Sequence, residues 1–392
     1  MAMKAVVQTG ADRLAEAEAA WLPDARIGLL TNPTGINARF ESTIELLAGS
    51  KRAKLAALLA CEHGIRGDRQ AGVLFEDERD ERLGIPVFSL YSAAGKRLQP
   101  HMLEAIDAVV FDIQDVGVRF YTYLSTLLML LEECAAAGKP LVVLDRPNPF
   151  GSGAGEGGLL APGFESFVGA ARLPICTGLT IGETALYMNS LLAQKCELTV
   201  VPLAGWDRSM TYERTGLPWM VPSPNMPTPE TVRVYGGTCL FEGTNLSEGR
   251  GTTRPFELIG APWVNGERLA RELNGRGLPG VHALPWHFTP TFSKHQGELC
   301  GGVRLFVTEP AAYRPVLTGL HLLDAVQSLF PDRFAWLPPY REGGRPFIDL
   351  LTGGDAVRTT LGKPGGLSRI LQDWERDEAL WNELRRPYCL YN

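Results

Sequence analysis

The chain has 392 residues, of which 45% are hydrophobic and 21% are charged. These proportions are those of globular proteins, and they exclude a disordered, collagen-like or coiled-coil chain. Asp and Glu outnumber Lys and Arg by 44 to 38, so the formal net charge is -6 and nucleic acid is not an expected partner. At roughly 150 residues per domain, this length predicts two domains.

The apolar stretches are all shorter than the roughly 20 residues that span a bilayer, so no membrane association is expected. The N-terminal residues lack the apolar segment and cleavage site of a secretory signal. A cytoplasmic protein is therefore expected, unless a targeting segment has been removed. The seven cysteines are widely scattered and include no Cys-x-x-Cys pair, which predicts reduced, mostly buried thiols. Nothing in the sequence indicates an oligomeric state.

The first 150 residues alternate short β-rich runs with helical patterns, which indicates βαβ units around a mainly parallel sheet. Near-continuous apolar runs predict strands that are buried on both faces, at 26–31, 55–60, 108–112 and 141–145, with a weaker fifth at 86–91. Between the third and fourth of these strands, the Leu- and Ala-rich segment 121–138 predicts a crossover helix that ends at Gly138.

Further along, a glycine-rich loop at 151–158 precedes a second predicted helix at 179–192, in which Thr180 and Glu183 have the spacing of a capping box. Later elements are expected as follows: a strand at 198–203, a proline-rich loop at 218–229, a strand at 303–308 and an amphipathic helix at 368–385. The predicted organisation is a mainly parallel α/β domain over residues 1–250 and a smaller α/β domain over residues 251–392.

Polar residues mixed with glycine or proline follow each of the four main predicted strands: Asn32 after the first, Glu62, His63 and Arg66 after the second, Gln114, Asp115 and Arg119 after the third, and Arg146 and Asn148 after the fourth. Ligands bind beyond the carboxyl ends of the strands in open parallel sheets, so one polar cleft is expected there. The segments 241–254 and 293–298 are expected to complete the cleft. Each residue alone could equally serve a turn, an ion pair or a helix cap.

A dinucleotide site is the obvious competitor for such an architecture. Its G-x-G-x-x-G motif should follow the first strand and lead into a helix. Here N-P-T-G follows that strand, the glycine-rich loop lies far downstream, and the chain has no Gly-Lys-Ser/Thr P-loop. The sequence therefore disfavours nucleotide binding.

Seven segments, in this order, resemble the exo-β-N-acetylmuramidase family, once catalogued only as a domain of unknown function: GLLTNPTG, EHGIRGD, DIQDVGVRFYTY, LDRPNP, PSPNMPT, FEGTNLSEGRGT and SKHQGE. The likeness runs from about residue 5 to the end of the chain. It implies a Rossmann-like N-terminal domain, a smaller C-terminal α/β domain and an active site in the cleft between them. It also implies a glycoside hydrolase that releases N-acetylmuramic acid from the non-reducing end of peptidoglycan fragments, with a muropeptide or a peptidoglycan-derived disaccharide as substrate.

By this resemblance, the glutamate of the E-H-G motif, Glu62, is the catalytic acid/base. Glycoside hydrolysis normally needs a second carboxylate, unless the acetamido group of the substrate attacks instead. Asp115 and Glu242 are the candidates for it, and Glu248 is a third that is also placed among the substrate-binding residues. Retaining, inverting and substrate-assisted mechanisms stay open, with participation of the acetamido group or inversion preferred.

Muramic acid carries a lactyl carboxylate, which a planar guanidinium binds well. The arginines expected at the cleft are Arg66, Arg119, Arg146 and Arg250, and Tyr121 is expected to stack on the sugar. The other candidates for substrate binding are Asn32, His63, Gln114, Asn148, Asn225, Glu248 and His295.

Neither a metal nor a cofactor is expected, since the histidines form no H-E-x-x-H pair. Cys61 is expected to be a buried thiol, with a role as nucleophile as the minor alternative. Two other functions stay open: a glycosidase of the same fold that acts on another amino sugar, and a non-catalytic sugar-binding or cell-wall-binding protein.

Overall fold

The computed structural model describes residues 7–69, 72–92, 95–151, 153 and 155–392. The expectation about a signal segment rests partly on residues 1–6, and the predicted glycine-rich loop includes residues 152 and 154, all of which lie outside the described residues. Within the described ranges, the strands are β1 (Arg26–Thr31), β2 (Lys54–Ala60), β3 (Glu78–Asp80), β4 (Ile85–Ser89), β5 (Ala108–Asp112), β6 (Leu141–Leu144), β7 (Leu198–Val201), β8 (Leu258–Ala261), β9 (Val281–Phe288) and β10 (Cys300–Val307).

The α-helices of the same ranges are α1 (Gly10–Glu16), α2 (Glu18–Trp21), α3 (Thr43–Ala48), α4 (Pro100–Ala105), α5 (Tyr123–Ala137), α6 (Ile181–Leu191), α7 (Tyr212–Thr215), α8 (Pro229–Thr238), α9 (Gly266–Gly275), α10 (Pro315–Leu329), α11 (Phe347–Thr352), α12 (Ala356–Thr360) and α13 (Gly366–Arg385). None of these helices is long and apolar enough to cross a bilayer.

The first sheet contains the described strands β1 to β7 in the order β3-β4-β2-β1-β5-β6-β7. All neighbours in it pair in parallel except β3 and β4. The apolar runs form its central strands because both faces are covered: Leu29, Leu58, Val110 and Val143 are fully buried. The prediction of a mainly parallel sheet, with strands within one or two residues of their observed bounds, is confirmed.

All three predicted helices are also confirmed, as α5, α6 and α13. The crossover helix begins at Tyr123, two residues later than predicted, and ends before Gly138, whose φ of 63° is left-handed and suits glycine. The capping box predicted at Thr180 and Glu183 is present: the Thr180 hydroxyl accepts from the Glu183 N–H, and the Glu183 carboxylate accepts from the Thr180 N–H.

A second, smaller sheet is antiparallel, with the order β8-β10-β9. The sequence predicted only β10 within it. Strand β9 was missed because it contains Pro285, which disfavours a central strand; here it lies at the edge of the sheet, where proline is tolerated. The predicted fold class, an α/β sheet domain followed by a smaller α/β domain, is confirmed.

Helix α8, which precedes the second sheet in the chain, packs closely against α10, which follows that sheet. A Cβ atom at Gly237 of α8 would lie 1.9 Å from the carbonyl oxygen of Pro315, so only glycine permits this approach. Helix α8 is thereby joined to the C-terminal part of the chain. The placement of the domain boundary near residue 250 stays a prediction.

Candidate active site

A cavity of about 200 Å³ lies beyond the C-terminal end of β2, against the beginning of α5. Its walls are formed by Glu62, His63, Phe120, Tyr121, Thr122, Tyr123, Val168, Ser223, Asn225, Met226, Tyr235, Glu242, Arg250, Phe256 and Phe347. The first ten belong to the part of the chain that carries the parallel sheet and the proline-rich loop, and the last five follow that loop. We refer to this space as the Glu62 cavity.

Glu62 stands in a tight turn directly after β2, where His63 and Gly64 both adopt positive φ angles, of 72° and 71°. Its Oε1 accepts a hydrogen bond of 3.0 Å from the Gly72 backbone N–H, and its Oε2 contacts the hydroxyl of Thr122. A backbone N–H can only donate, so Oε1 must accept. Oε2, beside Thr122, is therefore the carboxylate oxygen that is not held by the backbone.

Aromatic rings form much of the cavity wall. Tyr121 packs edge to face on Tyr123 at 5.0 Å and on Tyr235 at 6.0 Å, and Tyr235 packs in the same way on Phe256 at 4.6 Å. Burial raises the pKa of the Tyr121 phenol above its ordinary range, so the ring stays neutral. Aromatic faces of this kind can receive the apolar face of a sugar ring.

At the opposite wall, Arg250 lies between two carboxylates. Its Nε and Nη2 atoms donate to Glu242 Oε1 at 2.9 and 2.6 Å, and its Nε lies 3.3 Å from Glu248 Oε1. Lys294 binds the other oxygen of Glu248 at 2.8 Å. Burial lowers the pKa of the Arg250 guanidinium, but Glu242 and Glu248 outweigh this effect and raise it. Two cations and two anions thus compensate one another within this cluster.

Asp115 lies outside the cavity lining, although its charge acts on Tyr121, which lines it. Its Oδ2 accepts from the Gly117 N–H at 2.6 Å, while its buried Oδ1 has no hydrogen-bond partner among the described residues. Burial raises the pKa of Asp115 to about 7, against the effect of the backbone N–H groups of Gly117 and Val116. Asp115 is therefore separated from the cavity by the first layer of side chains.

The structure brings six of the predicted site residues together at the cavity: Glu62, His63, Tyr121, Asn225, Glu242 and Arg250. Three of the four arginines predicted at the cleft lie elsewhere. Arg119 is buried and donates to the carbonyl oxygens of Gly158, Leu173 and Leu351. Arg146 is buried in a bidentate ion pair with Asp112. Arg66 is exposed and lines a separate pocket of about 320 Å³.

The remaining predicted residues also lie outside the cavity lining, and their polar groups bind parts of the chain. The Asn32 amide forms hydrogen bonds with Tyr123 and Thr34, and the Asn148 amide with Leu179 and Phe150. Gln114 donates to the carbonyls of Asp115 and Pro147, and His295 contacts the carbonyl of Asn245. Glu248 forms ion pairs with Arg250 and Lys294. Sequence reasoning missed Thr122, Ser223, Tyr235 and Phe256, because no motif spacing marks a hydroxyl or a ring as part of a wall.

A more open groove of about 780 Å³ lies at the C-terminal end of the chain. Two of its three arginines are already bound: Arg208 pairs with Glu183, and Arg385 donates to the carbonyls of Gly153 and Gly178. Asp207 is the only carboxylate side chain among its described lining residues, and its oxygen accepts from Ser209. The groove is larger than the Glu62 cavity, but it lacks aromatic walls and a carboxylate facing into an enclosed space.

The fold and the cavity, in which the Glu62 side chain lies among aromatic rings, are those of an α/β glycoside hydrolase, the class of protein that the relatives below define. The family model described as exo-beta-N-acetylmuramidase NamZ, N-terminal, matches residues 27–230, and its C-terminal counterpart matches residues 233–391. The chain therefore belongs to the exo-β-N-acetylmuramidase NamZ family, as its motifs predicted. Residues of both matched segments line the Glu62 cavity.

Relatives across the whole length agree with this assignment. The chain is 43% identical over 390 residues to the peptidoglycan beta-N-acetylmuramidase NamZ of Bacillus subtilis (strain 168), covering 100% of this chain and 92% of the relative. Two crystal structures of DUF1343 family proteins from Bacteroides fragilis have the same fold. One has a TM-score of 0.91 at 35% identity, covering 98% of this chain and 99% of the other, and the second has a TM-score of 0.78 at 30% identity, covering 99% of each chain.

Proposed function

We propose that this enzyme releases N-acetylmuramic acid from the non-reducing end of peptidoglycan fragments, with Glu62 as the catalytic acid/base. The observation that carries the proposal is the position of Glu62, which lines the cavity with Oε2 in contact with Thr122, another lining residue, while Oε1 is held by a backbone N–H. The relative from Bacillus subtilis is named a peptidoglycan beta-N-acetylmuramidase.

The size of the cavity supports attack on a terminal sugar. At about 200 Å³ it is smaller than the roughly 300–1,000 Å³ pockets that take drug-sized ligands. It therefore suits a single sugar ring and not an internal stretch of glycan. The aromatic wall of Tyr121 and Tyr235 offers that ring an apolar contact.

The lining also bears on the mechanism. Glu62 and Glu242 are the carboxylates among the described lining residues, and Glu242 is neutralised by Arg250. The acetamido group of the substrate is therefore the favoured internal nucleophile, and Glu62 protonates the leaving oxygen as the glycosidic bond breaks. Glu62 then takes a proton from the water that opens the cyclic intermediate, which restores the acid.

The test is Glu62→Gln, which removes the proton and keeps the shape and the hydrogen bond from Gly72. Loss of a general acid costs about 10²- to 10⁴-fold in rate, so turnover of a natural disaccharide should fall by that factor. Turnover of a chromogenic β-N-acetylmuramide by this variant should fall by a smaller factor, because its leaving group needs little protonation. If the variant keeps more than a tenth of the activity on the disaccharide, Glu62 is not the acid.

Glu242→Gln serves as the matched control, since it removes the other carboxylate of the cavity lining. If Glu242 were a covalent nucleophile, this variant would lose turnover of the chromogenic muramide as completely as of the disaccharide. We expect it to retain measurable turnover of the chromogenic substrate. The corresponding β-N-acetylglucosaminide, measured in parallel, distinguishes a muramidase from a glycosidase that acts on another amino sugar.

A further inference from the structure

Lys96 contacts Phe167, the residue that directly precedes Val168 of the Glu62 cavity lining, and no motif marks its position. Its ammonium lies 3.3 Å from the centroid of the Phe167 ring and 4.4 Å from that of Tyr91. The two rings pack edge to face at 5.7 Å. A cation held against two aromatic faces is positioned and partly desolvated, unlike a lysine that moves freely in solvent.

The topology of the sheet explains how this ammonium comes close to Glu62. Strand β4 pairs in parallel with β2, so the chain that leaves β4 toward Lys96 starts beside the turn that carries Glu62. Phe167 directly precedes Val168, which lines the cavity, and its carbonyl accepts from Ser125 of α5 at 2.7 Å. The charges of Lys96 and Glu62 are close enough to interact.

Lys96 and Arg250 differ in their ion-pair partners. Arg250 is bound by Glu242 and lies beside Glu248. In the described part of the chain, Lys96 forms no ion pair within 4.0 Å; its ammonium contacts the two rings and interacts at longer range with the charge of Glu62. Lys96 therefore has a positive charge without an ion-pair partner among the described residues, whereas the charges of the Arg250 cluster cancel.

We propose that Lys96 binds the lactyl carboxylate of the muramic acid residue in the cavity, and that this contact makes the enzyme selective for the charged sugar. The inference rests on the proposed function, because it assigns recognition within the same site. The lactyl ether is the one group that distinguishes muramic acid from glucosamine. An anion entering beside Phe167 and Tyr91 meets a cation in a setting that excludes part of the water, where a charge-assisted hydrogen bond is strong.

The experiment compares two chromogenic muramides, one with a free lactyl carboxylate and one in which that group is a neutral primary amide. The two have the same bulk and differ in charge. For the wild type, kcat/KM should favour the free carboxylate by about 10- to 150-fold, the range of one charge-assisted hydrogen bond. Lys96→Met, which keeps the apolar stem, should bring this ratio close to one. Lys96→Arg should restore most of it.

Arg97→Met is the matched control, because it removes a neighbouring exposed cation whose charge acts on Glu133. It should leave the ratio unchanged. The inference is wrong if Lys96→Met keeps the wild-type ratio, or if Arg97→Met lowers the ratio equally. A loss of the ratio in Arg250→Met, with Lys96→Met unaffected, would assign the carboxylate to Arg250 instead.

Calorimetric titration separates this inference from the proposed function. N-acetylmuramic acid should bind the wild type more tightly than N-acetylglucosamine, and Lys96→Met should remove that difference, whether or not the enzyme cleaves either glycoside. If the wild type cleaves the muramide and Glu62→Gln abolishes cleavage, while the Lys96 variants bind both sugars as the wild type does, the proposed function stands and the role of Lys96 fails. If the wild type cleaves no muramide and binds the two sugars equally, both fail.

Discussion

Replacement of Arg146 by methionine tests whether this predicted substrate ligand is instead part of the fold. Arg146 Nε and Nη2 lie 2.6 and 2.9 Å from the two oxygens of Asp112, and the two side chains are 6% and 0% exposed. Asp112 also contacts the Thr43 hydroxyl, and Arg146 Nη2 also donates to the Ile36 carbonyl at 3.0 Å. Arg146→Met leaves the Asp112 carboxylate buried without its cation.

The magnitude follows from that uncompensated charge. Removing one partner of a buried ion pair costs about 3–5 kcal/mol of unfolding free energy. Unfolding entropy is about 2.1 cal/mol/K per residue, or about 0.8 kcal/mol/K for a chain of this length, so Tm should fall by roughly 4–6 °C if the whole chain unfolds together. It should fall by roughly 7–12 °C if the segment that carries the parallel sheet unfolds alone.

The fall in Tm can be measured by differential scanning calorimetry on Arg146→Met, with Arg26→Met as the control. Arg26 pairs with Asp107 at 2.7 Å, but the two side chains are 47% and 45% exposed, so water replaces the partner and Tm should not change measurably. The ratio of activity on the free and amidated muramides should be that of the wild type in both variants. An unchanged Tm together with a lost ratio in Arg146→Met would make Arg146 a substrate ligand and refute the structural role.

Two further changes have defined outcomes. Cys61→Ala should keep activity within a few-fold, because burial raises the pKa of that thiol and keeps it from acting as a nucleophile. A variant that is folded by circular dichroism but inactive would instead support a cysteine nucleophile. Chelators should have no effect, since no metal is expected. The pKa of Asp115 is raised from 3.8 to about 7, so the stability that its neutral form contributes is present below pH 3.8 and is lost as pH rises to about 7. In denaturant titrations, Asp115→Asn should therefore lose less stability than the wild type between pH 4 and pH 8. Part of the pH dependence of stability should remain, because the pKa values of Asp145 and Glu156 are also raised to about 7. Identical pH profiles for the variant and the wild type would contradict this prediction.

The parallel sheet could be predicted from the sequence because its central strands are buried on both faces. Burial on both faces produces unbroken apolar runs, such as those at β1 and β5, whose bounds match the prediction. The second sheet lacks this signal. Strand β9 lies at an edge, is largely exposed and contains Pro285, so its residues do not show the pattern of a buried strand.

The site was only partly predictable, for a physical reason that Asn32 and Arg119 illustrate. A chain that leaves a buried strand must turn, and the backbone groups of that turn need partners. Asn32 satisfies this need by accepting from the Thr34 N–H, and Arg119 by donating to three carbonyl oxygens. A polar residue that holds a loop has the same sequence signature as one that holds a ligand, and only the direction of the side chain separates them.

The distribution of charge around the cavity supports the proposed origin of selectivity for an anionic sugar. The later segment of the chain contributes Arg250, but together with Glu242 and Glu248, so that an incoming carboxylate would have to displace an existing partner. The earlier segment contributes Glu62 and Lys96 from the exits of two adjacent strands, and Lys96 has no such partner in the described chain. The acid and the sugar-recognising cation that we propose are thus carried by one edge of the parallel sheet. The later segment then closes the cavity and supplies aromatic contacts from Tyr235 and Phe256, which do not depend on charge.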